Sequence, residues 1–174
     1  MNDIDLTEAT AEGGDWNFMG NGWNPIGSND VYGGGTFNGI FDGGGHSIIG
    51  MRIEITNCPT DVGNSIYLGL FSKVSGKIHD LHMTNNVITI KIQFKGNVNI
   101  GAIAGYNLGT IEESSSSGNI DVSVHGTYNN DINIYTGGIV GYCTNSIVNC
   151  YNTGSIFSKA DYSFAGGIAG HGNN

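Results

Sequence analysis

Gly137-Gly138-Ile139-Val140-Gly141 recurs along the chain with small variations. Gly166-Gly167-Ile168-Ala169-Gly170 follows it, and Gly101-Ala102-Ile103-Ala104-Gly105 and Leu68-Gly69-Leu70-Phe71-Ser72 precede it. Asn38-Gly39-Ile40-Phe41-Asp42 fits the same frame, so copies start at 38, 68, 101, 137 and 166. The match runs past the glycines. Ile48, Ile78, Ile111 and Ile147 fall in one column, Met51, Leu81, Ser114 and Cys150 in a second, and Val87, Ile120 and Ile156 in a third. Between these positions lie Asn-, Gly- and Ser-rich corners, and the apolar spacing never settles to the helical 3.6. Short strands in a period near 30 residues describe a coil that turns once per repeat, each copy stacking in parallel on the next. The expected fold is all-β: a right-handed parallel β-helix (β-solenoid) of about 30–36 residues per rung and about four and a half rungs. Propeller blades run longer, about 40–50 residues. Gly137, Gly138, Gly141, Gly166, Gly167 and Gly170 are expected to turn the backbone with φ > 0. Ile139 and Ile168 point inward between them.

Working outward, 174 residues make a single domain, with 1–36 capping or starting the coil and 37–174 holding the repeats. The 30 glycines come with only 2 prolines, and the 22 isoleucines and 22 asparagines with only 5 leucines. That balance favours strands and turns over helices. Charged residues are only 12 % yet leave a net charge of −9, which argues against nucleic acid and against an anionic membrane surface. No apolar run approaches the ~20 residues of a membrane-spanning helix. Residues beyond the repeated core collect on one side of the coil, for example Val87 to Phe94 and Asp131 to Tyr135. Such insertions read as extra strands, and either as a binding face or as neutral drift in length. Trp16 and Trp23 are expected to plug the N-terminal end, because a stack needs a cap.

The chain offers little catalytic or metal chemistry. There is no His-Glu-x-x-His and no Gly-x-Ser-x-Gly. His79 and His82 are three apart with a corner expected between them, so their rings should diverge and hold no metal. Asp42-Gly43-Gly44-Gly45-His46 reads as a turn in which Asp42 caps backbone N–H groups. Cys58, Cys143 and Cys150 match no zinc or redox spacing and read as free thiols. Arg52 and five lysines are few for gripping a uronate polymer. No catalytic residue, metal or cofactor is therefore expected. Aromatics are the better lead. Tyr106 and Tyr142 share a column with Lys73 and His171, while Tyr128, Tyr135, Phe157, Tyr162 and Phe164 lie in variable segments. Tyr106, Tyr142, Tyr128 and Tyr135 are the candidate ligand-binding residues, since exposed rings beside Asn suit sugars. The competing reading is an aromatic ladder that merely covers the coil.

The runs Gly137-Gly138-Ile139-Val140-Gly141-Tyr142, Asn149-Cys150-Tyr151-Asn152-Thr153-Gly154 and Gly166-Gly167-Ile168-Ala169-Gly170 resemble GLUG-motif repeats. Trp23-Asn24-Pro25-Ile26-Gly27 and the run from Phe37 to Ile48 are similar to the segment that precedes such repeats. The second copy departs with Leu68 and Ser72 in place of glycines, and the third with Ser114 to Ser117. The resemblance implies a non-catalytic, structural or adhesive part of a secreted or surface-attached bacterial protein. Such parents include adhesins and immunoglobulin A peptidases, with a host glycan or host surface protein and the parent's neighbouring domains as partners. It supplies no site residues. The start, Met1-Asn2-Asp3-Ile4-Asp5-Leu6, has neither a basic nor an apolar leader segment. We expect a piece of a longer protein. A carbohydrate-active β-helix is the alternative from another class.

Overall fold

The computed structural model describes residues 2–27, 35–57, 65–126 and 132–172. They form a parallel β-solenoid of about three full turns, fewer than the four and a half rungs expected. One turn runs as follows. Ser65–Leu68 lies on a four-stranded sheet, and a short corner at Gly69-Leu70 leads to Phe71–Val74 on a five-stranded sheet. A second corner at Ser75-Gly76 leads to Lys77–Phe94 on a long nine-stranded face. The chain then returns through Lys95-Gly96 to Asn97–Gly101, one rung further along the four-stranded sheet. Every pairing between these strands is parallel. No helix among the described residues is long and apolar enough to cross a membrane.

Parallel strands covered on both sides carry near-continuous Ile and Val, and the ladders here do. Ile66, Val98 and Ile134 stack across three rungs and are fully buried. On the long face Ile53, Ile88, Ile120 and Ile156 form another column. Burying one such side chain stabilises by about 1.5–3 kcal/mol, so repeated ladders, and not local propensity, hold the coil. Val87 to Phe94 continues the long strand, as expected: Ile88, Ile90, Ile92 and Phe94 alternate inward and are 0–4 % exposed. These residues lengthen the core.

The register corrects several columns. Ile78 pairs with Phe41 and Ile111, and Ile111 with Ile147, so Phe41 takes the place expected for Ile48, which pairs with Met83. Ile88, not Val87, stands level with Ile120. The slip comes from a bulge, where Ser116 faces Met83 but Gly118 faces Asn86. Asn85 (φ 53) and Gly118 (φ 127) absorb it in the left-handed region. Leu81 does sit level with Ser114, whose hydroxyl accepts its N–H at 3.2 Å. Met51 lies further on, its carbonyl accepting the Val87 N–H.

The copies starting at 101, 137 and 166 stack in register. The copy at 68 is one residue short at its corner: Leu68 pairs with Ile100 but Phe71 with Ala104, so Gly69 and not Leu68 matches Gly101. The copy at 38 is not in the frame. Thr36 and Phe37 pair with Lys73 and Val74, and Ile40 with Lys77, while Ile26 bridges to Phe71. Asn38-Gly39 is thus the second corner of its rung, with a composition resembling the first.

The frame glycines have no positive φ, contrary to expectation; that region is taken by others, such as Gly27 and Gly50. Their requirement is space. A Cβ on Gly105 would lie 2.6 Å from the Leu68 nitrogen and 2.8 Å from Tyr67 Cα. One on Gly141 would meet Ile100 N and, at 2.7 Å, Asn99 C, and one on Gly170 would lie 2.7 Å from Tyr135 C. At this corner the four- and five-stranded sheets meet backbone to backbone, which only glycine permits. Gly137, Gly138 and Gly166 are likewise crowded by backbone, whereas Gly167 has open space around it. Ile139 is fully buried between them; Ile168, on the last rung, is half-buried.

Residues 2–27 close one end. Leu6 is buried, the Thr10 hydroxyl donates to the Leu6 carbonyl, and the Trp23 indole N–H donates to the Leu70 carbonyl at 3.1 Å. Trp23 packs on the core, whereas Trp16 leans on it at 5.8 Å between centroids and stays 53 % exposed. Only Trp23 acts as the plug.

Candidate functional site

The close corner decides what its outward residues can do. Along the four-stranded sheet Tyr67, Asn99, Tyr135 and Phe164 stand one above another. Along the five-stranded sheet Lys73, Tyr106, Tyr142 and His171 do the same, the column read from the sequence. Because Gly105, Gly141 and Gly170 let the sheets touch, these two columns face each other across the corner. Tyr67 stacks on Tyr106 with centroids 6.0 Å apart and planes 14° apart. Tyr142 meets Tyr106 edge-on at 5.3 Å and Tyr135 edge-on at 5.0 Å, and stacks on His171 at 4.7 Å. Tyr135 also stacks on Phe164 at 5.3 Å. Such pairs contribute about 0.5–1.5 kcal/mol each beyond their burial, so the cluster is rigid.

Ser65, Tyr67, Asn97, Asn99, Tyr106, Tyr135 and Tyr142 enclose a groove of about 260 Å³. Asn99 is 4 % exposed and donates from Nδ2 to the Ile66 carbonyl one rung below. Asn133 donates to Asn97 Oδ1 at 3.3 Å, extending the amide row upward. The Lys73 ammonium sits 4.7 Å from the centre of the Tyr67 ring, a cation–π contact. Burial, and then the neighbouring Tyr142, push the Tyr135 phenol above the ordinary tyrosine value, so it stays a neutral donor. Among the described residues the lining offers flat apolar faces, phenolic hydroxyls and amides, and no carboxylate.

Of the four residues singled out from the sequence, Tyr106, Tyr142 and Tyr135 come together here; Tyr128 lies outside the described residues. Tyr67 was missed. Its signal was the alternation Ser65-Ile66-Tyr67-Leu68 just before a corner, obscured because this copy is one residue short. Phe157 is on another wall, level with Asp121.

His79 and His82 hold different partners. His79 Nδ1 lies 2.8 Å from Asp80 Oδ2 and 3.6 Å from Asp42 Oδ1, while His82 Nδ1 is 2.8 Å from the Ser115 hydroxyl. Asp42 Oδ1 also accepts the Gly44 N–H at 2.8 Å, the expected turn cap. Asp42, His79 and Asp80 offer ligand atoms within 4.8 Å of one another, but on an open surface where the Asp42 side chain is 62 % exposed. Cys143 and Cys150 are free thiols, and Cys58 lies outside the described residues. Compared with protein-family models, curated proteins and solved structures, the chain matches none.

Proposed function

We propose that this chain is a non-catalytic adhesive β-solenoid module that binds a glycan in the tyrosine- and asparagine-lined corner groove. The observation that carries the reading is the convergence of four tyrosines from two sheets around a 260 Å³ cavity edged by Ser65, Asn97 and Asn99. A sugar ring presents an apolar face to an aromatic and hydroxyl edges to amides and phenols. Ring contacts already fix the tyrosines before a ligand arrives, so little side-chain entropy is lost on binding. The likeness to GLUG repeats adds the setting: a secreted or surface-attached bacterial protein that holds this module against a host glycan or glycoprotein.

A glycan array followed by calorimetry on the best binder tests the reading. Tyr142→Ala removes the ring that touches Tyr106, Tyr135 and His171. A loss of at least about tenfold in affinity, roughly 1.4 kcal/mol, with far-UV circular dichroism unchanged, is the expected result. An array with no binder, or a binder indifferent to Tyr142→Ala, would overturn it. Turnover of any bound polysaccharide would overturn the non-catalytic part.

A further inference from the structure

The charge at the corner groove runs against the charge of the chain. Asp and Glu outnumber Lys and Arg by 15 to 6, yet among the described residues none of them lines the groove. A lysine stands at its edge instead. Lys73 pairs in register with Tyr106 of the next rung, and its ammonium lies 4.7 Å from the centre of the Tyr67 ring. Tyr67 is itself held by its stack on Tyr106, so the charge has a fixed seat. Three other cations are neutralised on their own wall: Arg52 by Glu54, Lys77 by Glu112 at 2.6 Å, and Lys91 by Asp121 at 3.3 Å. Among the described residues Lys73 has no carboxylate partner, and an aromatic face takes that place. A ring leaves the three N–H donors of the ammonium without an acceptor oxygen. Lys73 is also half-buried, so water and salt screen its charge less than they screen a free surface lysine.

We propose that the groove selects an acidic sugar, with Lys73 holding the carboxylate or sulfate while the sugar ring lies among the tyrosines. Selectivity of this kind presupposes the glycan reading given above and narrows it to one class of glycan. A neutral sugar filling the groove would strip water from the Lys73 ammonium and supply no counter-charge, which is unfavourable. An acidic sugar supplies that charge at the place where the fold has left it out. The lining itself adds no repulsion: burial and Tyr142 hold the Tyr135 phenol above the ordinary tyrosine value, so it stays neutral, and Ser65, Asn97 and Asn99 carry no charge. Lysine presents a point charge and not the two-pronged fork of arginine. It therefore reads the presence of negative charge more than the shape of the group, and carboxylated and sulfated sugars share that chemistry. One lysine reads one acidic residue of a glycan. Such a contact suits a binding module and does not call for the row of basic side chains that would grip a uronate polymer.

An array printed with uronate-, sialate- and sulfate-bearing glycans beside their carboxyl-reduced or desulfated counterparts tests the selectivity, with calorimetry on the best matched pair. The acidic member should bind at least about tenfold more tightly than its neutral counterpart, and that advantage should shrink as salt rises from about 50 to 500 mM. Lys73→Gln should abolish the advantage while leaving affinity for the neutral member within about twofold, and Lys73→Arg, which keeps the charge, should retain most of it. A preference shown for carboxylate alone or sulfate alone names the group that Lys73 holds. Equal binding of acidic and neutral members, still lost in Tyr142→Ala, would overturn the acidic selectivity and leave the glycan reading standing. A preference that survives in Lys73→Gln would overturn the part given to Lys73. Binding of no glycan on the array would overturn the glycan reading and the selectivity together.

Discussion

Gly105→Ala tests whether the repeated glycines are required for space. The added Cβ would sit 2.6 Å from Leu68 N and 2.8 Å from both Tyr67 C and Tyr67 Cα, where ordinary contact begins at 3.4 Å. Each contact is thus too short by about 0.7 Å, on a potential that rises steeply at such range. All three atoms are backbone of a strand held on its other side by the Asn97–Gly101 strand, so no flexible side chain can yield. Relief requires the two sheets to separate at the corner. Overpacking of this kind costs about 1–3 kcal/mol, and the rigid neighbours place Gly105→Ala at the upper end, about 3 kcal/mol. For a domain of this size that lowers Tm by roughly 6–12 °C. Gly167→Ala is the control. Nothing lies within 4 Å of its Cβ position and its φ is not positive, so the loss of unfolded-chain entropy should leave stability unchanged or raise it by up to about 1 kcal/mol. Melts of both variants by circular dichroism and calorimetry decide the matter. The reasoning fails if Gly105→Ala melts within about 1 °C of the parent. It fails equally if Gly167→Ala loses as much as Gly105→Ala, since the glycines would then be required for something other than room.

Two further perturbations probe the groove and its supports. The Tyr135 phenol is held above its ordinary value by burial and by Tyr142, so folding favours the neutral form. That contribution is fully present below the unfolded tyrosine value of about 10 and is lost as pH rises through the higher folded value. The urea midpoint should accordingly fall above about pH 10, less steeply in Tyr135→Phe, and an identical pH slope in the variant would contradict the shift. Asn107 is fully buried, donating to the Ser146 carbonyl at 3.1 Å and accepting the Gly109 N–H at 3.0 Å. Asn107→Ala removes both bonds, takes from the buried Gly109 N–H its side-chain acceptor, and should cost about 2–3 kcal/mol in chemical denaturation; a loss below about 0.5 kcal/mol would show that the corner refolds around water.

What was legible in the sequence, and what was not, follows from how each requirement is written in it. The copies at 101, 137 and 166 declared the coil because Gly, a small residue and an inward Ile recur where the backbone geometry recurs. Column assignments failed by one residue where a rung gains or loses a residue, and by several at Ile48 and Met51, whose copy is out of frame. The bulge at Ser116 and Gly118 and the short corner at Gly69-Leu70 leave the apolar pattern intact on both sides while shifting its phase. Glycine was recognised at the right positions for the wrong reason, since a left-handed φ and a missing Cβ make the same demand on sequence. Only the packing of Gly105 against Leu68 separates them. The groove shows the same limit. Tyr106 and Tyr142 were visible as a column because they repeat along one sheet. Their contact with Tyr67 and Tyr135 joins two sheets, and no spacing along the chain encodes it. That contact exists because a glycine beside each tyrosine of the five-stranded sheet removes the atom that would hold the sheets apart. The residues without side chains therefore place the aromatic ones, and substituting the glycine column should disturb the groove as directly as substituting its tyrosines.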